Sequence, residues 1–175
     1  MSEFLYQQPF SPSLLLALET SCDETSVALL RDGREVLCNK IASQEELHAR
    51  YGGVVPEIAC RRHFEVIHPL IEEALKESGV GFGHLDALAV THGPGLIGAV
   101  LVGVTVAKTL SQALDIPLLP VNHLEGHALT ARLTNRVAFP YLLLLVSGGH
   151  SQLLVVEGVG AYRRLGTTVD DAVGE

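Results

Sequence analysis

Short apolar runs, broken by glycine, proline or acidic clusters, give this chain its rhythm. Residues 14–18 are continuously apolar, as in a strand buried on both faces. The polar stretch Glu19-Thr20-Ser21-Cys22-Asp23-Glu24-Thr25-Ser26 follows, and residues 27–30 return as a second strand. Asp32-Gly33 then turns the chain into a third strand over 35–41, because an Asp-Gly pair between β-formers supplies the positive φ angles of a tight hairpin. Three sequential antiparallel strands are expected.

Helical spacing takes over after residue 42. Ser43 with Glu46 three positions on reads as a capping box for a helix reaching Arg50. The segment Tyr51-Gly52-Gly53-Val54-Val55-Pro56 interrupts it. A second helix carries an apolar stripe at Cys60, Phe64, Ile67, Ile71 and Leu75, with Pro69 inside it expected to bend the axis. Residues 85–91 read as a strand, Gly93-Pro94-Gly95 as a turn, and 96–114 as a helix whose Ala99, Gly103 and Ala107 make a smooth face. A strand at 118–121 leads to Asn122, the expected cap of a further helix. Strands then follow at 141–146, 152–156 and 161–165, and residues 168–175 read as entering a helix. The closing trio of strands restarts the opening pattern, which implies a duplicated α/β unit whose second copy is cut short.

Composition narrows the class. The chain has 175 residues, 47% of them hydrophobic, enough for a sizeable core. Twelve basic against twenty acidic residues give a net charge of -8, so the overall field repels nucleic acid, and any RNA contact needs a local basic patch such as Arg61-Arg62. Three cysteines without a CxxC pair read as reduced thiols in a cytoplasmic protein. The longest apolar stretch, residues 96–107, falls short of the ~20 residues a bilayer needs, so no membrane association is expected. The first 13 residues lack a basic-then-apolar leader and read as a short tail.

Three stretches hold candidate chemistry. His123 and His127 stand one helical turn apart, so both rings project from one face, as two ligands of one transition metal or as a plain surface pair. The spacing resembles the metalloprotease HExxH, but Glu125 sits two residues after His123 and points off that face, which argues against a peptidase. A third ligand has to come from elsewhere; Asp170, Asp171 and Glu175 qualify by residue type. Asp23 and Glu24 place two carboxylates in the first loop, able to hold Mg²⁺ through water or to act as a general base, or simply to be solvated. Ser147-Gly148-Gly149-His150, between two apolar strands, reads as a hairpin baring N–H groups to an anion, or as an ordinary turn. Two strand–loop–strand units facing one another are expected to form a nucleotide cleft. The remaining histidines (48, 63, 68, 84 and 92) form no cluster and read as surface or structural.

Together the stretches ALETSCDETSVAL, SQEELHARYGGVVPEIACRRHFEVI, THGPGLIGAVLVGVTVAKTL, NHLEGHALTARL, LLLLVSGGHSQLLVV and LGTTVDDAVGE resemble the TsaD (YgjD/Gcp) family of tRNA threonylcarbamoyladenosine synthase subunits. The resemblance implies an α/β, actin-like ATPase (ASKHA) fold. Its parts would be a tail over 1–13, a complete first lobe over 14–138 ending in the metal-site helix, and a truncated second lobe over 139–175. It implies transfer of a threonylcarbamoyl group from threonylcarbamoyl-adenylate to the exocyclic amine of the adenine beside the anticodon in tRNAs reading ANN codons. By motif, His123 and His127 become ligands of one divalent ion, iron ahead of zinc. Val146, Ser147, Gly148, Gly149 and His150 become the loop holding the adenylate, and Asp23 and Glu24 the catalytic carboxylates near its phosphate, with Mg-ATP as a further nucleotide. The implied partners are tRNA, a TsaB-like paralogue in a heterodimer, a TsaE-like ATPase and the synthase supplying the adenylate. Members of that family continue after the Gly-Glu with an Asp-Lys pair, most of a second lobe and a third, aspartate ligand. A chain ending here is therefore expected to bind metal weakly, to have a half-open cleft and not to turn over. The competing class is a non-catalytic scaffold or inactive fragment that dimerises with a TsaB-like paralogue.

Overall fold

The computed structural model describes residues 13–148 and 150–172. Apart from Ser13, the expected N-terminal tail lies outside the described residues, as do Gly149 and Glu175. The chain divides into two compact units, Met1–Val121 and Asn122–Glu175, so the helix expected to end the first lobe groups with the second unit.

In the first unit β1 (Leu14–Glu19), β2 (Glu24–Arg31) and β3 (Glu35–Ser43) form the expected antiparallel meander. Its second hairpin, between β2 and β3, turns at Asp32 (φ 52°) and Gly33 (φ 66°), the paired positive angles that the Asp-Gly sequence called for. A short helix α1 (Glu45–Ala49) and the long α2 (Pro56–Ser78) lead to a 3-10 turn and then to β4 (Ala87–Gly93), which lies parallel to β1. A parallel neighbour needs a crossover connection, and α2 supplies it. Helix α3 (Ile97–Leu114) and β5 (Leu118–Asn122) complete a sheet of order β3-β2-β1-β4-β5. The core lies between sheet and helices: Leu14, Leu16 and Leu18 of β1 and Val27 and Leu29 of β2 meet Ile67, Ile71, Ala74 and Leu75 of α2 and Ala107 of α3.

Several expectations are corrected here. β1 alternates between fully and half-buried positions, so only one of its faces is sealed; the strand buried throughout residues 87–91 is β4. Ser43 lies one residue before the N-cap, although its hydroxyl accepts from Glu45 N–H (3.2 Å). Gln44 occupies the N-cap but makes no side-chain bond to the backbone N–H groups of the helix; its amide is drawn inward to His48 instead. The stripe of α2 keeps Ile67, Ile71 and Leu75, joined by Ala74, but its N-terminal part falls one residue earlier, on Ala59 and His63 in place of Cys60 and Phe64, and Phe64 is 75% exposed. The helix runs through Pro69 as one element of 23 residues, capped by Gly79 at φ 67°. Helix α3 extends past the apolar stretch ending at Ala107 to 18 residues, long and apolar enough by length and composition to cross a membrane. Its Ala99, Gly103 and Ala107 are buried, as the smooth face required.

The second unit contains α4 (His123–Asn135) and a meander of β6 (Tyr141–Val146), β7 (Ser151–Gly158) and β8 (Ala161–Thr167), in that spatial order. It repeats the opening three-strand pattern of the first unit. Leu142, Leu144 and Val146 share one face of β6 and are 63%, 68% and 44% exposed. Residues 168–172 are irregular rather than helical.

Candidate functional site

The acidic loop of the first unit is shorter than its sequence suggested, because Glu24 already belongs to β2. Asp23 is half-buried and Glu24 exposed. The rest of the loop is clamped from two sides. On one side the Thr20 hydroxyl donates to the Ala99 carbonyl of α3 (2.8 Å), and Leu96 N–H donates to the Ser21 carbonyl (2.8 Å). Both contacts need missing side chains, since a Cβ on Gly103 would lie 2.4 Å from Thr20 Oγ1 and one on Gly95 2.4 Å from Ser21 O. On the other side His63 of α2, with 0% of its surface exposed, donates from Nε2 to the Cys22 carbonyl (2.8 Å) and meets the Thr25 hydroxyl through Nδ1 (2.8 Å). Gln44 N–H donates to the Asp23 carbonyl (3.0 Å). The Cys22 residue is exposed, yet its thiol is pushed up to about 11, first by burial of the sulfur and then by the Asp23 carboxylate beside it.

Sequence reading missed this buried group of His63, Gln44 and His48. The usable signal was spacing, because His63 lies four residues from Ala59 and from Ile67 on the inward stripe. Among the other histidines, 68, 84 and 92 are exposed. The Arg61-Arg62 doublet lines a groove of about 540 Å³ with Arg50, but Glu46 and Glu65 share it and Glu65 pairs with Arg62 at 3.2 Å, so the charge there is mixed.

In the second unit Asn122 caps α4 as expected, its side-chain oxygen accepting from Leu124 N–H (2.9 Å) and Glu125 N–H (3.3 Å). One turn in, the Nε2 atoms of His123 and His127 converge to 3.1 Å, with the rings edge to face at 4.5 Å between centroids. Two ligands of a tetrahedral ion with ~2.0–2.1 Å bonds lie roughly 3.3 Å apart, so the pair fits one shared ion. Among the described residues no group of three His, Cys, Asp or Glu side chains is arranged to hold a metal, so Asp170 and Asp171 do not complete the set. Glu125 points away, as expected: it accepts from Gly160 N–H (2.8 Å) and the Tyr162 hydroxyl (2.7 Å), bracing α4 against the β7–β8 turn. Burial, and then that carboxylate, push the Tyr162 hydroxyl up from its ordinary value.

The glycine turn closes on itself. Ser147 N–H donates to the His150 carbonyl (2.7 Å), and His150 N–H meets the Ser147 hydroxyl oxygen (3.1 Å). Two of the backbone donors expected to be bare are therefore engaged, and Gly148 is exposed. Val146, the last residue of β6, is 44% exposed.

The family described as TsaD, tRNA N6-adenosine threonylcarbamoyltransferase, matches residues 35–175. A protein of that name from Methylobacterium sp. (strain 4-46) is 61% identical over 165 residues, covering 92% of this chain and 47% of the relative. One from Trichlorobacter lovleyi is 57% identical over 162 residues, covering 93% and 47%. The chain thus spans just under half the length of the curated relatives it matches. Among solved structures, YeaZ from Pseudomonas aeruginosa superposes with a TM-score of 0.58 at 28% identity, over 88% of this chain and 65% of that one. The ROK hexokinase from Thermus thermophilus, at TM-score 0.50 and 18% identity over 87% and 47%, shares the fold alone, the actin-like ATPase fold.

Proposed function

Because this chain belongs to the TsaD family of tRNA N6-adenosine threonylcarbamoyltransferases, we propose that it is the N-terminal part of such a transferase and carries part of its site. The reaction moves a threonylcarbamoyl group from threonylcarbamoyl-adenylate to the exocyclic amine of the adenine beside the anticodon, in tRNAs reading ANN codons. The amine nitrogen bonds to the carbamoyl carbon, the bond from that carbon to the phosphate oxygen breaks, AMP leaves, and the amine gives up a proton. His123 and His127 hold the divalent ion, iron or zinc, which when bound supplies Lewis-acid polarisation of an oxygen on the acyl donor. Gly148 and Gly149, in the turn with Val146, Ser147 and His150, offer backbone N–H groups to the adenylate phosphate. Asp23 and Glu24 accept the released proton, Asp23 from the more sheltered position.

The observation that carries this reading is the 3.1 Å convergence of the two Nε2 atoms on a capped helix. A pure scaffold has no use for it. The partners that follow from the resemblance are a TsaB-like paralogue, supported by the shared fold of YeaZ, a TsaE-like ATPase and the adenylate-forming enzyme, all in the cytoplasm.

Metal content is the direct test. The purified 175-residue chain, loaded with zinc or iron and desalted, is expected to retain less than one equivalent and to lose it in His123→Ala and His127→Ala. Stoichiometric metal indifferent to both substitutions ends the ligand assignment. For the reaction, the chain is extended with the C-terminal half of the Methylobacterium relative and supplied with those partners, ATP, bicarbonate, labelled threonine and unmodified tRNA. Label is expected in tRNA only when both histidines are present; label without them refutes the proposal.

A further inference from the structure

With one hydrogen on each imidazole ring, the buried polar groups between α1, α2 and the acidic loop have a single self-consistent set of donors and acceptors. Val55 N–H can only donate, and it meets His48 Nδ1 (3.3 Å), so that nitrogen is unprotonated. His48 Nε2 therefore carries the hydrogen and donates to Gln44 Oε1 (3.1 Å), which fixes which end of the amide is which. The Gln44 NH₂ group then faces His63 Nδ1 (3.5 Å) and the Ala59 carbonyl (3.5 Å). His63 Nδ1 has to accept, because Nε2 donates to the Cys22 carbonyl (2.8 Å), and the Thr25 hydroxyl donates to the same Nδ1 (2.8 Å). Along the path Val55–His48–Gln44–His63–Cys22 each hydrogen points the same way, from the N-terminus of α2 to the loop, and Thr25 adds a second donor to His63 Nδ1. Gln44, His48 and His63 are 3%, 3% and 0% exposed, so water does not compete along the chain. Aligned bonds of this kind in a low-dielectric interior reinforce one another.

We propose that His63, oriented through Gln44 and His48, is a positioning residue that fixes the Cys22 carbonyl and so sets the placement of the Asp23 and Glu24 carboxylates. The functional part of this inference rests on the assignment of those carboxylates as proton acceptors. The side-chain nitrogen of a glutamine imitates imidazole Nε2, whereas that of an asparagine falls short of it. His63→Gln therefore keeps a donor for Cys22, and His63→Asn does not.

Cys22 reports on the loop. With its thiol at about 11, roughly one molecule in a thousand is thiolate at pH 8, and a loosened loop lets that fraction rise. Alkylation by iodoacetamide is followed by peptide mapping on the 175-residue chain, with buried Cys38 as the control for global opening. His63→Asn and Gln44→Leu are expected to speed Cys22 labelling by about threefold or more, with Cys38 unchanged and His63→Gln within about twofold of the native rate. Equal rates for His63→Gln and His63→Asn overturn the proposal. Long-range ¹H–¹⁵N spectra of the native chain give a second reading that needs no variant: both His48 and His63 are expected as Nε2–H tautomers, and an Nδ1–H signal for His63 equally overturns it. Neither measurement involves tRNA or metal, so failure here leaves the transfer reaction standing, and failure of transfer leaves this network standing.

Discussion

Gly95 and Gly126 are both glycines in the sequence, yet their surroundings predict opposite responses to one added methyl group. At Gly95 the new Cβ would meet the Ser21 carbonyl oxygen at 2.4 Å, a backbone atom that cannot swing aside. Gly95→Ala is expected to lower the unfolding free energy by about 1–3 kcal/mol, read as a lower urea midpoint. Gly126 is exposed within α4, and a Cβ there meets nothing within 4 Å. Gly126→Ala is expected to raise stability by about 0.5–1 kcal/mol, with metal retention by the histidine pair unchanged. Equal losses at both positions would remove the steric argument. The sequence marked Gly95 only as part of a turn, since its reason for being glycine lies in the β1–β2 loop, at Ser21 far upstream. The His123–His127 pair was legible because helical geometry alone sets its spacing, whereas His63 owes its role to Cys22, Thr25 and Gln44, all distant in sequence.

Among the elements, those governed by neighbouring residues were readable: the Asp32-Gly33 hairpin, the Asn122 cap, and the smooth face of α3. Those that depend on what lies opposite were not. The stripe of α2 was placed through the bulky Cys60 and Phe64, but the helix approaches the sheet closely with Ala59 and Ala74, and the bulky Phe64 is left in solvent. The box at Ser43 was placed one residue early, because the helix begins at Glu45 with Gln44 in the N-cap. α2 is also tied to β3 by Lys40, whose ammonium meets Glu73 at 2.9 Å and also contacts Glu77. Hydrogen bonding to Lys40, and then its charge, hold the Glu77 carboxyl below its ordinary value. A carboxylate lowered in the folded state adds stability above the unfolded value of about 4.3, and that stability fades as pH falls through the folded value. The stability gap between the native chain and Lys40→Met is therefore expected to hold between pH 5 and 8, at about those bounds, and to shrink below about pH 4 in urea titrations. A gap that widens in acid contradicts the assignment.

Over the molecule as a whole, fold class was legible because strands and helices alternate in a duplicated order. The uneven strength of the two units was not. The extended apolar core belongs to the first unit, while among the described residues buried apolar positions in the second are few: Ala128, Leu145 and Val156. A three-stranded sheet with the exposed Leu142, Leu144 and Val146 on one face has little to hold it against local opening. Amides of β6–β8 are expected to exchange with deuterium about tenfold faster or more than those of β1, β2 and β4, and matched rates would show one cooperative body. The clamped acidic loop has a different consequence. Its backbone surrendered its conformational freedom during folding, so a ligand arriving there meets a finished surface and loses little further entropy in ordering it. Under the proposed function, the part that yields as substrates enter and leave is then expected to lie outside residues 20–25.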